Sequence, residues 1–317
     1  MVKRVLRASC GIALAAAAAC SSTSSSKSTV TVSQACADFA SSGCKKLQTC
    51  APFLVQLVYG DEATCTARVS LECPGALMAS GTTVMSAGFE ACVQARDAMS
   101  CTDFLSNQTA PACRLSGSLP VGAPCAAGEQ CSSAYCNILV SGACGVCATR
   151  SPVGGACLTD SDCELSGLAC SFGSCVPLGA VGAACDIANP CEGVLFCSAA
   201  GTCTPRLTAG TACDPAGDPS CDSTIGLYCD PTTNVCTQAQ IASAGGACGA
   251  PAAGALTVCA GRGFCQLDDG SLVGTCEAAA LEGAACDAVN GPNCLPPASC
   301  LFGVCTSIDP ASCQLDQ

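Results

Sequence analysis

The stretch Gly182-Ala-Ala-Cys185-Asp-Ile-Ala-Asn-Pro-Cys191-Glu-Gly-Val-Leu-Phe-Cys197-Ser-Ala-Ala-Gly-Thr-Cys203 decides how this chain is read. It holds four cysteines, a glycine three positions before the first and another two positions before the last. The frame recurs along the second half of the chain. First cysteines fall at Cys125, Cys157, Cys185, Cys213, Cys248 and Cys286, preceded by Gly122, Gly154, Gly182, Gly210, Gly245 and Gly283. The remaining cysteines are Cys131, Cys136 and Cys144 in the first unit, Cys163, Cys170 and Cys175 in the second, and Cys191, Cys197 and Cys203 in the third. They are Cys221, Cys229 and Cys236 in the fourth, Cys259, Cys265 and Cys276 in the fifth, and Cys294, Cys300 and Cys305 in the sixth. Two positions before the fourth cysteine stands Gly142, Gly173, Gly201, Asn234, Gly274 or Gly303. Gly and Asn adopt positive φ most readily, so a left-handed turn is expected before the closing bridge. An aromatic (Tyr135, Phe196, Tyr228 or Phe264) often precedes the third cysteine and is expected to cover a bridge as a mini-core.

Each unit therefore reads as a short loop followed by a β-hairpin. Four cysteines allow three pairings, and the sequence does not choose among them. First-to-third with second-to-fourth is the expectation adopted, for example Cys185–Cys197 and Cys191–Cys203. A loop of that length stabilises by roughly 3 kcal/mol per bridge in the chain-entropy picture. Cys147 and Cys313 fall outside the register and either pair with each other or rewire their neighbours.

Composition supports crosslinking as the source of stability. The chain has 36 cysteines in 317 residues, above the level that marks a disulfide scaffold. Eight Phe, three Tyr and no Trp are too few to fill a conventional core of this size. Metal-bound thiolates are the competing use of cysteine, but zinc sites want paired C-x-x-C knuckles, commonly with His. There is no His, and the one C-x-x-C is Cys144-Gly-Val-Cys147. Disulfides, and hence an oxidising compartment, are expected instead.

Residues 1–20 read as a bacterial export signal: Lys3, Arg4 and Arg7 precede the short apolar stretch Ala8–Ala19. The run Ala15-Ala-Ala-Ala-Ala-Cys20 resembles a lipobox, with Ala17 where Leu is usual, which implies lipidation of Cys20. Cleavage by the ordinary signal peptidase is the alternative. Parity favours the lipoprotein: without Cys10 and Cys20, 34 cysteines remain, enough for 17 bridges. Residues 21–31 are Ser/Thr-rich and read as a flexible tether. Ser21 after the cysteine resembles lipoproteins sorted to the outer membrane, on its periplasmic or its cell-surface side.

Residues 32–114 form a helical block with eight widely spaced cysteines. A helix capped by Ser33 is expected through Cys36, Phe39 and Cys44, with Gly43 a weak point. An apolar run follows, ended by Gly60. Asp61-Glu62 start another helix, stopped by Pro74-Gly75. One more covers about Val84–Met99, and Ser100 with Asp103 resembles a capping box. The run Ala51–Tyr59 reads as core, with a partner-binding surface as the other possibility. The modules then span 119–147, 152–177, 180–206, 208–238, 243–278 and 281–313. The fold class is thus small and disulfide-rich: a disulfide-tied α-helical bundle followed by a linear array of six short loop/β-hairpin four-cysteine modules.

The pattern G-x-x-C…C…G-L-x-C…G-x-C from Gly122 to Cys305 resembles the Dickkopf N-terminal cysteine-rich region. Its tandem use behind a lipobox is similar to cysteine-rich lipoproteins of predatory, multicellular soil bacteria of the myxobacterial type. The resemblance is to a scaffold class and implies no receptor-signalling role.

From Leu115 onward three basic residues (Arg150, Arg206, Arg262) face seventeen acidic ones. Phosphate binding needs Lys and Arg, so nucleic acid is excluded as a partner. An acidic array is expected to repel itself and stay extended. Asp160, Asp162 and Glu164, and Asp268-Asp269-Gly270, are oxygen-rich loops that could hold calcium, though solvated loop charge is their ordinary use. Asn107-Gln-Thr109 matches a glycosylation sequon, which carries little weight in a bacterium. Without His there is no ordinary base for a Ser or Cys nucleophile, and no phosphate-cradling glycine loop is present. No enzyme and no cofactor are expected. The sequence points to a lipid-anchored envelope protein with a structural, adhesive or protein-binding role toward a protein or matrix partner. A protease inhibitor built on the same modules is the alternative.

Overall fold

A computed structural model describes residues 30–106, 108–138, 144–164, 167–215, 220–251, 254–287, 289–307 and 313. The expected signal, Cys10, Cys20, most of the tether, Asn107 and Gly142 lie outside them. The fold class is the one expected: a helical disulfide block, then a series of short hairpin-based modules each built on four cysteines.

The helices are α1 (Val32–Cys50), α2 (Pro52–Tyr59), α3 (Glu62–Met78), α4 (Ser86–Ala98) and α5 (Cys101–Leu105). The cap of α1 is Thr31, not Ser33: its hydroxyl accepts from the Gln34 amide at 3.1 Å. Starting there puts Ala35, Cys36 and Ala40 on the buried face. Gly43 does not weaken α1. A Cβ there would lie 2.7 Å from Arg96 Nη1, so the glycine seats the guanidinium that stacks 3.9 Å over the Phe39 ring. Nor does Pro74 stop α3, which continues to Met78. The proline forfeits one backbone bond, but the extra turn packs Leu77 against the Ala35, Cys36, Cys73 and Phe89 cluster. Thr82 Oγ1 donates to the Ala76 carbonyl beyond it. Asp61 caps α3 through the Thr64 amide at 2.6 Å, and Gly60 ends α2 with φ 87°. At α5, Ser100 accepts from the Asp103 amide at 3.0 Å, and its hydroxyl donates to the Asp103 carboxylate. Bridges Cys36–Cys73 and Cys44–Cys65 tie α1 to α3, Cys50–Cys101 ties it to α5, and Cys92–Cys113 anchors α4.

Module 1 contains β1 (Pro124–Cys125), β2 (Cys136–Ile138) and β3 (Gly145–Cys147). Modules 2 to 4 are the hairpins β4 (Leu168–Ser171) with β5 (Ser174–Pro177), β6 (Leu195–Cys197) with β7 (Cys203–Pro205), and β8 (Leu227–Asp230) with β9 (Val235–Gln238). Module 5 is a five-stranded sheet of β10 (Gln240–Ala242), β11 (Ala247–Gly249), β12 (Thr257–Cys259), β13 (Phe264–Leu267) and β14 (Val273–Glu277), in the order β10-β12-β11-β14-β13. Module 6 closes with β15 (Ser299–Leu301) and β16 (Val304–Thr306).

All six modules pair first-to-third and second-to-fourth, as in Cys157–Cys170 with Cys163–Cys175 and Cys185–Cys197 with Cys191–Cys203. Module 1 requires a correction. Its fourth cysteine is Cys147, bonded to Cys131, whereas Cys144 is bonded to Cys313. Strand register decides the matter. The residue before the first cysteine pairs with the residue before the fourth in every module, as Ala156 with Ser174 and Ala184 with Thr202, and Pro124 pairs with Val146. The fourth cysteine is also the buried centre of each module, at most 2% exposed in all six, while Cys144 is exposed.

The leading glycines have one role. Gly122, Gly154, Gly182, Gly210, Gly245 and Gly283 have φ between 77° and 89° and donate their amides to the fourth-cysteine carbonyl at 2.7–2.8 Å. The second set has two roles. Gly173, Gly201, Asn234 and Gly303 have positive φ, as expected, but Gly274 does not. It lies inside β14, where a Cβ would fall 1.9 Å from the Gln266 carbonyl oxygen. Gly145, the equivalent residue in module 1, is held by the same close approach to Asn137.

The aromatics also depart from expectation. Bridges, with Leu195 or Leu227, form the module cores. Tyr135, Tyr228 and Phe264 instead join neighbouring modules, because a ring is too large for a two-bridge core. The Tyr135 hydroxyl donates to Asp162 of module 2, and the Tyr228 hydroxyl accepts from the Leu256 amide of module 5 at 2.9 Å. Phe264 lies against Gly291 of module 6.

The array is linear in chain order but not extended. It packs back on the helical block, because short-range hydrogen bonds and apolar contact outweigh screened repulsion between carboxylates. Gln130 Nε2 donates to Ser80 O at 2.9 Å, Phe53 lies against Gly226, and the Gly261 amide donates to Gln56 O at 2.9 Å. The run Ala51–Tyr59 thus serves as core through fully buried Val55, and also as a seat for modules 4 and 5.

The two glycine roles separate by mutation. Gly182→Ala, in open space, is expected to lose about 1 kcal/mol from left-handed strain alone, and Gly182→Asn less. Gly274→Ala must part β13 from β14 and is expected to cost about 3 kcal/mol. Urea unfolding with the bridges intact measures both.

Candidate functional site

The features with chemical potential lie in the loops of the modules and at their seam with the helices. Asp160, Asp162 and Glu164 are on the loop between the first and third cysteines of module 2. Asp160 Oδ1 accepts from the Cys170 amide at 2.7 Å, and Asp162 Oδ2 accepts from the Leu158 and Thr159 amides at 2.7 and 2.8 Å. Glu164 is exposed. Two of the three candidate calcium ligands therefore hold the module's own loop. Burial pulls the Asp162 carboxyl up, but Tyr135 and the two amides together keep it below the ordinary carboxylate range. Tyr135 is pushed up, first by its burial and then by its bond to Asp162. Arg150 stacks 4.3 Å over the Tyr135 ring and caps this joint. Asp268 and Asp269 sit in the β13–β14 turn, closed by the Ser271 amide on Asp268 O at 2.9 Å.

Gln130 occupies in module 1 the place of Asp162 in module 2. Its Oε1 accepts from the Ala126 and Ala127 amides at 2.7 and 3.0 Å. One side chain thus fixes the loop and reaches the preceding unit, a role that sequence reading missed. The shared position, one residue before the second cysteine, is the signal that marks it.

Sulfur atoms cluster in modules 1 to 5: those of Cys157, Cys163 and Cys175, for example, lie within 4.8 Å of one another. Each is bonded in a disulfide, so the cluster offers no thiolate.

An open apolar groove of about 750 Å³ runs between α2 and the module 5 sheet, lined by Leu57, Val58, Leu256, Val258 and Leu272. Arg262 stands at its rim with φ 60°, its amide donating to Leu57 O at 2.6 Å. Beside it is the main polar clasp between array and helices. Arg68, 11% exposed, forms a two-pronged ion pair with Glu282 of module 6 and donates to Pro296 O at 2.6 Å and Leu295 O at 3.0 Å. Ser307 Oγ donates to the same carboxylate. These bonds, Arg68 foremost, hold the Glu282 carboxyl at about 2, against an ordinary value of 4.5.

Because the folded value is depressed, the clasp stabilises fully above pH 4.5 and is lost as pH falls through about 2. Glu282→Gln is expected to cost about 1 kcal/mol near neutrality, since the carboxylate is partly solvated, and nothing at the acid end. Arg68→Met is expected to cost about 2 kcal/mol or more, because it also strands two carbonyls. Urea midpoints of the wild type and both variants across this pH range check the order. Compared with known proteins, the chain matches no family model, no curated protein and no solved structure, so its function is read from its own residues.

Proposed function

We propose that the protein is a non-enzymatic, lipid-anchored cell-envelope protein that presents its disulfide modules to a protein or matrix partner. One observation carries the reading. Every cysteine from Cys36 to Cys313 is taken up in seventeen bridges, an arrangement that belongs to an exported protein in an oxidising compartment. Cys10 falls within the signal, so Cys20 remains as the cysteine to accept lipid, in the lipobox-like run behind the Lys3, Arg4 and Arg7 segment. Ser21 favours the outer membrane. Among the described residues no helix is long and apolar enough to cross a membrane. The modules, with bridge-filled interiors and varied loops, suit them to recognition by loop surfaces.

The anchor is tested by expressing Cys20→Ser beside the wild type. Wild-type protein should fractionate with membranes and incorporate labelled palmitate, with Cys20 as its first mature residue. The variant should lose both properties. A soluble, unlabelled wild-type protein would overturn the lipid reading, and capture of a secreted protease as its envelope partner would favour inhibition.

A further inference from the structure

The hairpins of modules 2 and 6 turn through two residues each, Phe172-Gly173 and Phe302-Gly303, between the pairs Ser171–Ser174 and Leu301–Val304. Both residues of each turn are left-handed, with φ 49° and 79° in the first and 51° and 80° in the second. This mirror-image turn suits strand twist, but its first position favours Asn, Asp or Gly. A phenylalanine there is strained. Burial does not compensate, since Phe172 is 75% exposed and Phe302 fully so. The chain makes this doubly unfavourable choice twice.

Each tip has the same companions. Asp186 Oδ1 accepts from the Ala188 and Asn189 amides, both at 2.8 Å, and Asp287 Oδ1 accepts from the Val289 and Asn290 amides at 2.8 and 3.1 Å. These two loops carry the exposed side chains of Ile187 and Val289. Ser171 Oγ donates to Ile187 O at 3.3 Å, which sets the module 3 loop beside the module 2 tip. In module 6 the Cys286 amide donates to Gly303 O at 2.9 Å, which sets the module's own Asp287 loop beside its tip. A loop that carries an exposed aliphatic and a carboxylate thus lies beside an exposed ring twice, within one module in one case and across two in the other.

We propose that the Phe172 and Phe302 tips are the contact points for a protein partner whose surface combines apolar side chains with Lys or Arg. This rests on the protein-binding reading above and names the partner's chemistry. Charge fixes the sign, because the chain from Leu115 onward carries seventeen acidic residues against three basic ones and a loop bearing a carboxylate lies beside each tip. The same charge disfavours an anionic membrane surface. Two tips on one chain also supply avidity.

Panning a phage-displayed random peptide library against the full chain tests the proposal. Enriched peptides should join Lys or Arg to aromatic or branched apolar residues. Their binding should fall about tenfold or more in the double variant Phe172→Asn/Phe302→Asn, as expected for contact anchors, and weaken in Asp186→Asn/Asp287→Asn. The Asn tips should hold or raise the thermal midpoint, because Asn accepts positive φ. A lowered midpoint would make the rings structural and overturn the proposal. Enriched peptides that bind the double variant equally would overturn the tips and leave the protein-binding reading standing, while no enrichment at all would count against both. Binding of phosphatidylcholine vesicles by the wild type, lost in the double variant, would assign the tips to a membrane instead.

Discussion

The pair of crossed disulfides in each module is the constraint on which the rest of the structure depends. It buries the fourth cysteine almost completely, and the backbone on either side of it is then satisfied in a fixed way. Its carbonyl accepts from the leading glycine, and its amide donates to the carbonyl of the residue after that glycine, at 2.7–2.9 Å in all six modules. The residue six before the first cysteine pairs in parallel with the second cysteine, as Leu119 with Cys131 and Gly179 with Cys191. A module is therefore a covalent knot with a short hydrogen-bonded rim, and it needs almost no large apolar side chain. Loop length and loop sequence are left free to vary.

The same economy explains how modules join. A unit with so small a core cannot bury a neighbour's face, so contacts between units are made by single side chains. Tyr135 to Asp162, Gln130 to Ser80 and Tyr228 to Leu256 each cross one boundary. Arg68 crosses the longest one, between α3 and module 6, and Cys144–Cys313 links module 1 to the end of the chain across 169 residues. The helical block, which alone among the described residues has paired aromatics (Phe39 and Phe89, 5.3 Å apart), is the body against which the array is folded.

Much of this was legible in the sequence, because the constraint is local. The cysteine frame, the leading glycines, the hairpins and most helix limits follow from spacing and from residues with narrow backbone preferences. What escaped was decided at a distance. Gly142 before Cys144 and Gly145 before Cys147 both satisfy the frame, and only the register of Val146 opposite Pro124 separates them. Pro74 reads as a stop until Leu77 is seen to be buried beyond it. The positive φ expected of Gly274 gave way to a close strand approach that looks identical in one dimension. The acidic array reads as self-repelling, while one arginine that helps to gather it lies more than two hundred residues upstream of its partner.

Reduction under otherwise native conditions measures whether the bridges alone hold the modules in shape. With reductant and no denaturant, followed by amide dispersion in NMR and by thiol titration, hairpin dispersion should collapse as thiols appear, with no released zinc. A dispersed, native-like spectrum persisting after full titration of the thiols would contradict it, and so would free thiols or stoichiometric zinc in the protein before reductant is added.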